Sequence, residues 1–202
     1  MNKAKLIDII GRTADVIEEN KLYLTELDTE IGDGDHGINM ARGFASVKEK
    51  LSDYEKMSCG TILIDVGKTF IKVVAGSSGP LYGSAFKVMG KTVGDSDEIA
   101  YDQFVEGFQK GVAKIQALGM AKEGEKTMVD AMLPALREMQ KTDIAADGIK
   151  NAVAAAEKAV EHTKEIMATK GRASYVGERS IGHQDPGATS FWLMLRTLNE
   201  AL

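Results

Sequence analysis

Apolar residues recur along this chain at intervals of three and four, the spacing that places them on one face of an α-helix. Leu6, Ile10, Ala14 and Ile17 form a first stripe, and Met40, Phe44, Val47 and Leu51 a second. Ile62, Val66, Phe70 and Val73 give a third, just after Gly60. Phe104, Phe108, Val112 and Ile115 follow, then Met128, Met132, Leu136 and Met139. Ile149, Val153, Ala156, Val160, Thr163 and Met167 make the cleanest run, and its Ala-rich segment has high intrinsic helix propensity. Phe191, Leu195, Leu198 and Leu202 close the chain, and one further helix fits between Pro80 and Lys91. No segment alternates with period two for long enough to read as a half-buried strand. The pattern predicts an all-α protein of eight amphipathic helices packed about a common core, a single domain over residues 1–202. Pro134 lies within one stripe and is expected to kink that helix.

Composition narrows the function. A net charge of −5 lacks the Lys/Arg surplus needed to neutralise phosphates, which argues against nucleic-acid and anionic-membrane partners. One cysteine excludes an internal disulfide framework and fits a reducing compartment. The N-terminal lysines are followed by no long apolar core, and no stretch reaches the ~20 apolar residues that span a bilayer. A soluble, cytoplasmic protein is expected. The ten methionines fall mostly on core-facing positions, where gap filling accounts for them.

The segment Leu27-Asp28-Thr29-Glu30-Ile31-Gly32-Asp33-Gly34-Asp35-His36-Gly37 carries the strongest chemical signal. Carboxylates are hard donors suited to Mg²⁺ or Ca²⁺, and the interleaved glycines let the backbone reverse so that Asp33 and Asp35 face one point. Asp28 reaches the same point if the segment folds back. An EF-hand fails on spacing: counted from Asp33, position 5 is Gly37 and position 12 is Phe44. Zinc is poorly served by Cys59 and the three histidines, which lack ligand spacing. Asp28, Asp33 and Asp35 are the candidate metal ligands.

Gly76-Ser77-Ser78-Gly79-Pro80 suits an anion cradle, with Pro80 at the first helical position and free N–H groups at the positive end of the helix dipole. An ordinary serine N-cap accounts for the same residues. His36-Gly37-Ile38-Asn39 opens another helix beside the acids, and Asp185-Pro186-Gly187 reads as an N-cap with Pro at N1. Lys170 to Gly187 is the longest non-periodic stretch, of the kind that carries function or moves. Its Arg172 suits either a phosphate contact or plain solvent exposure. Acids for Mg²⁺, amides for phosphate and an arginine for developing charge together make a set for phosphoryl transfer.

Leu27 to Gly37, Ser77 to Gly83, Glu125-Lys126-Thr127-Met128, and Gly171-Arg172-Ala173-Ser174-Tyr175 through Gly187-Ala188-Thr189-Ser190 resemble the nucleotide-binding L subunits of bacterial dihydroxyacetone kinases that depend on the phosphotransferase system. The resemblance runs nearly end to end, with Ala75-Gly76 where relatives often show two glycines. It implies an antiparallel eight-helix barrel with nucleotide at one end. It implies that Asp28, Asp33 and Asp35 hold two Mg²⁺ ions on the diphosphate of ADP or ATP. His36, Gly37, Ile38, Asn39, Ser77 and Ser78 would line the phosphates, and Gly119, Thr127 and Met128 the nucleoside. Arg172, Asp185, Pro186 and Gly187 would close the site, with Arg172 in a catalytic role. In such enzymes ADP stays bound, takes a phosphoryl group from a phosphohistidine of an M subunit, and passes it to dihydroxyacetone on a K subunit. A homodimer is a further partner left open. Two other readings use the same pocket: an ATP-dependent kinase domain of that family, and a non-catalytic ADP-sensing module.

Overall fold

A computed structural model describes residues 1–202. The chain forms ten α-helices and no strand: α1 (Lys3–Glu19), α2 (Lys21–Ile31), α3 (His36–Lys48), α4 (Leu51–Tyr54), α5 (Cys59–Val73), α6 (Ser78–Val93), α7 (Tyr101–Gly119), α8 (Met128–Met139), α9 (Ala145–His162) and α10 (Pro186–Ala201). Two 3₁₀ segments, Thr163–Glu165 and Arg172–Ser180, lie between α9 and α10. Polar side chains start several helices where the sequence provides them. Asn2 accepts from the Lys5 amide at 2.9 Å and Asp185 from the Ala188 amide at 2.6 Å. At α8, Thr127 accepts from Val129 while Asp130 accepts from the Thr127 amide at 2.7 Å, a reciprocal box that satisfies two orphan donors.

Ten helices stand where eight were expected. The additions are the four-residue α4 and, more important, α2. α2 buries only Leu24, Asp28 and Ile31 and exposes Leu22, so its apolar stripe is broken by an acid and leaves no readable period. It continues from α1 through Asn20, whose side chain donates to the Val16 carbonyl at 2.8 Å and bends the chain there. Other boundaries shift too. Leu51 belongs to α4, Leu202 lies beyond α10, and α9 stops at His162, so Met167 is off the helix and exposed. Thr163, fully buried, donates to the Val160 carbonyl at 2.6 Å and starts the 3₁₀ turn instead. Pro80 is the third residue of α6, not the first. Pro134 lies inside α8, where its ring removes one helical N–H.

The helices pack in sequence: α1 on α3, then α5, α6, α7, α8, α9 and α10, which returns to α1. Their inner faces share one cluster of 42 buried hydrophobic residues. Phe108 and Phe191 stack within it at 5.7 Å between ring centroids, and Phe44 meets Phe70 edge-on at 4.9 Å. The α5–α6 pair approaches most closely, because glycines face backbone there. A Cβ added to Gly67 would lie 2.4 Å from the Gly83 carbonyl, and one on Gly90 would lie 2.4 Å from that of Gly60. No side chain larger than hydrogen fits either position.

Candidate active site

Two of the molecule's cavities bear on function. One, of about 150 Å³, lies in the core and has 21 hydrophobic residues among the 23 that line it, so it has little to offer a charged ligand. The other, of about 260 Å³, opens at one end of the helices and gathers the chemistry.

Asp28 sits in the last turn of α2, almost fully buried. Its Oδ2 accepts the backbone N–H groups of Asp35 at 2.8 Å and His36 at 3.1 Å, which folds residues 32–35 back over α2 and satisfies the start of α3. The reversal needs glycine. Gly34 has φ +70°, and a Cβ on Gly32 would lie 2.2 Å from Asp28 Oδ1. Carboxylate oxygens of Asp28, Asp33 and Asp35 thereby come within 4.8 Å of one another. Three acids this close repel, and the one cation against them is Arg172, whose Nε lies 3.1 Å from Asp33 Oδ2. An all-oxygen set with excess negative charge fits a hard divalent ion such as Mg²⁺ and suits no soft metal.

His36 lies beside this trio, buried. Burial pulls its pKa down to about 4, against the opposing attraction of Asp28 and Asp35, so the ring is neutral near pH 7. Its Nδ1 is 3.1 Å from Ser78 Oγ and its Nε2 2.9 Å from Ser190 Oγ. Behind Ser190, the Tyr82 hydroxyl lies 3.1 Å from Ser190 Oγ and donates to the Gly187 carbonyl at 3.2 Å. A polar chain thus runs from the α6 terminus to α10. Ser77 precedes α6, makes no capping bond of its own, and with Ser78 lines the cavity at the helix N-terminus.

The far wall comes from α7, α8 and α10. Gly119 ends α7, while Thr127 and Met128 start α8. Asp185 caps α10 with Pro186 at its first position. Burial raises the Asp185 carboxyl to about 7, against the hydrogen bond from the Ala188 amide; Asp130 and Asp28 push it further up and Lys126 pulls it down.

Asp28, Asp33, Asp35, His36, Ser77, Ser78, Gly119, Thr127, Met128, Arg172, Asp185, Pro186 and Gly187 therefore line one cavity. Gly37, Ile38 and Asn39 do not. Each residue turns the helix by about 100°, and α3 rotates them away. Gly37 faces α2, where a Cβ would lie 2.1 Å from the Lys21 carbonyl; Ile38 is half exposed and Asn39 buried. The sequence reading missed Tyr82, Lys126 and Ser190 as site residues. For Ser190 a signal exists, since Ala188-Thr189-Ser190 is a small polar run on an otherwise apolar helix.

Comparison with known proteins identifies the family. Residues 30–200 match the DAK2 domain. The chain belongs to the DAK2 domain family. It is 42% identical over 182 residues to the ADP-binding subunit DhaL of PEP-dependent dihydroxyacetone kinase 1 of Listeria innocua, covering 90% of this chain and 88% of that one. Identity to the corresponding DhaL subunit of Escherichia coli is 38% over 202 residues, with 98% of this chain and 96% of that one aligned. Among solved structures, the native dihydroxyacetone kinase of C. freundii superposes with a TM-score of 0.79 at 25% identity. That match covers 98% of this chain and 34% of the kinase, so the present chain corresponds to about a third of it. No helix is long and apolar enough to cross a membrane.

Proposed function

We propose that this chain is the ADP-binding subunit of a PEP-dependent dihydroxyacetone kinase, with residues 1–202 acting as one nucleotide-binding domain closed as an antiparallel eight-helix barrel, α1 and α2 counting as one bent helix and α4 as part of a connection. The observation that carries the reading is the convergence of Asp28, Asp33 and Asp35 opposite the Ser77-Ser78 start of α6 in one open cavity. Relatives named as ADP-binding subunits, matched over nearly their whole length, support it.

In this reading Asp28, Asp33 and Asp35 hold two Mg²⁺ ions, which supply charge neutralisation for a bound diphosphate. Ser77, Ser78 and the amides that follow receive phosphate oxygens. A neutral His36 keeps one acceptor and one donor nitrogen and orients the Ser78 hydroxyl without adding charge. Gly119, Thr127 and Met128 border the nucleoside, and Asp185, Pro186 and Gly187 shape the wall beneath it. Arg172 faces the charge that moves during transfer, where a fixed cation counts most. Lacking a second polar pocket of comparable size, the subunit works with partners: an M subunit whose phosphohistidine recharges ADP, and a K subunit that presents dihydroxyacetone.

Reconstitution tests this. The chain with ATP, Mg²⁺ and dihydroxyacetone should form no product. Adding the K subunit should give a single turnover from bound ATP, and steady turnover should require the M subunit with its phosphoryl donor. Multiple turnover on free ATP without the M subunit would favour an ATP-dependent kinase domain, and ADP binding without transfer under any combination a sensing module.

A further inference from the structure

Lys126 occupies the turn before α8 in the left-handed region at φ +60°, a conformation that side-chain-bearing residues adopt at a cost. Only 1% of the residue is exposed. Its ammonium meets no carboxylate directly. Instead Nζ donates to backbone carbonyls alone: Thr163 at 2.8 Å, Ser180 at 2.5 Å, His183 at 2.5 Å and, more distantly, Ile166 at 3.3 Å. With three N–H groups and four oxygens, it sits as a resident cation coordinated by chain.

All four carbonyls belong to the connection between α9 and α10. Ile166 precedes Arg172 and Ser180 follows it, so one ammonium holds both stems of the loop that carries the arginine. The loop also packs on α2, and Thr169 N–H donates to the Glu125 carbonyl at 3.3 Å. Gly171, Gly177 and Gly182 each take positive φ, and the Gly177 break interrupts its 3₁₀ turns. Its stems are also joined by Ala168 N–H to Ser180 Oγ at 2.8 Å and by Gly182 N–H to the Lys164 carbonyl at 2.7 Å. Beyond the stems, the side-chain tie to the rest of the protein is Arg172 to Asp33, between side chains 64% and 34% exposed. An exposed ion pair of this kind does not fix a loop by itself.

We propose that Lys126 is the positioning residue that sets Arg172 over the carboxylate trio by clamping both stems of the Lys170–Ser180 loop. The inference rests on the nucleotide-site reading above. It makes Lys126 act through Arg172, not on the nucleotide.

The test is Lys126→Met, nearly isosteric and without the cation, alone and combined with Arg172→Ala, in single-turnover transfer to dihydroxyacetone with the K subunit. Misplacing a catalytic group by about 1 Å costs up to ~100-fold, so the rate should fall roughly 10- to 100-fold. Affinity for ADP with Mg²⁺ should stay within about threefold, and Arg172→Ala on top should lower the rate by less than about threefold more, because the two share one effect. Losses that multiply, an unchanged rate, or parallel loss of affinity and rate would each overturn the proposal. Should Lys126→Met fail to fold, Lys126→Gln, which keeps two N–H donors, takes the same measurements. Limited trypsin digestion gives a readout independent of transfer. Cleavage after Lys170 and Arg172 should quicken in the variant while global melting stays cooperative, and equal cleavage overturns the clamp. If the wild-type chain performs no transfer with its partners, the function reading fails, and the digestion alone decides the role of Lys126.

Discussion

Replacing Asp185 by Asn removes one buried negative charge and keeps the helix cap, because the amide oxygen still accepts the Ala188 N–H that the carboxylate holds at 2.6 Å. In the folded protein burial raises this carboxyl to about 7 from an ordinary 3.8. A folded-state pKa above the unfolded one means that the folded protein binds the proton more tightly. The resulting stability is complete below about pH 3.8 and is lost as pH rises through about 7. Within that window each pH unit is worth about 1.4 kcal/mol, so the wild type should lose about 2–3 kcal/mol between pH 5 and pH 8 through this group. The Asp185→Asn variant, with no proton to release there, loses nothing. His36 works with the opposite sign: its pKa is lowered to about 4 from 6.5, so its contribution is present above about 6.5 and disappears as pH falls. That background is common to both proteins and cancels in their difference. Urea unfolding of the EDTA-treated proteins at the two pH values measures the effect. The stability difference should move by about 2–3 kcal/mol in favour of Asp185→Asn on going from pH 5 to pH 8. A difference that is independent of pH, or that moves the other way, refutes a buried, proton-retaining Asp185.

Asp33→Ala and Asp35→Ala should each abolish retention of ADP with Mg²⁺ through gel filtration while helical circular dichroism stays near wild type; native affinity in both would remove these residues from the site. Arg172→Ala should reduce single-turnover transfer more than ADP affinity, as an interaction realised in the transition state does, and equal losses would mark a ground-state phosphate contact. Gly37→Ala should destabilise the protein by about 1–3 kcal/mol in thermal melts, since its Cβ would meet the Lys21 carbonyl at 2.1 Å and the Thr25 amide at 2.7 Å across the α2–α3 crossing. An unchanged melting temperature would show that the two helices separate freely.

What was legible in the sequence divides along physical lines. α7 exposes one polar face and buries one apolar face, so period alone finds it. α2 escapes because the residue it buries at mid-stripe is Asp28, kept inside by the Asp35 and His36 amides and not by hydrophobicity. The carboxylate trio was readable because its acids are local and glycines announce the reversal. Ser190 announced itself only as part of a small polar run, since its partner is His36, 154 positions away along the chain. Lys126 was hidden more deeply. Its partners are backbone carbonyls, which no side-chain pattern encodes, and its own left-handed position is filled by a lysine, not a glycine.

The interlocked glycines of α5 and α6 have a bearing on how the cavity moves. Backbones in direct contact leave no side chains to rearrange between them, so the pair slides or separates only by losing many contacts at once. Amide protons along its facing sides should exchange with solvent only when the whole protein unfolds, and those of Lys170–Ser180 much earlier. Ser77 and Ser78 begin at the end of that stiff pair, whereas Arg172 rides the soft loop opposite. In the proposed reading the two walls form an anvil and a hammer: phosphate oxygens would register against a surface that stays still, and entry, exit and alignment would be decided from the other side.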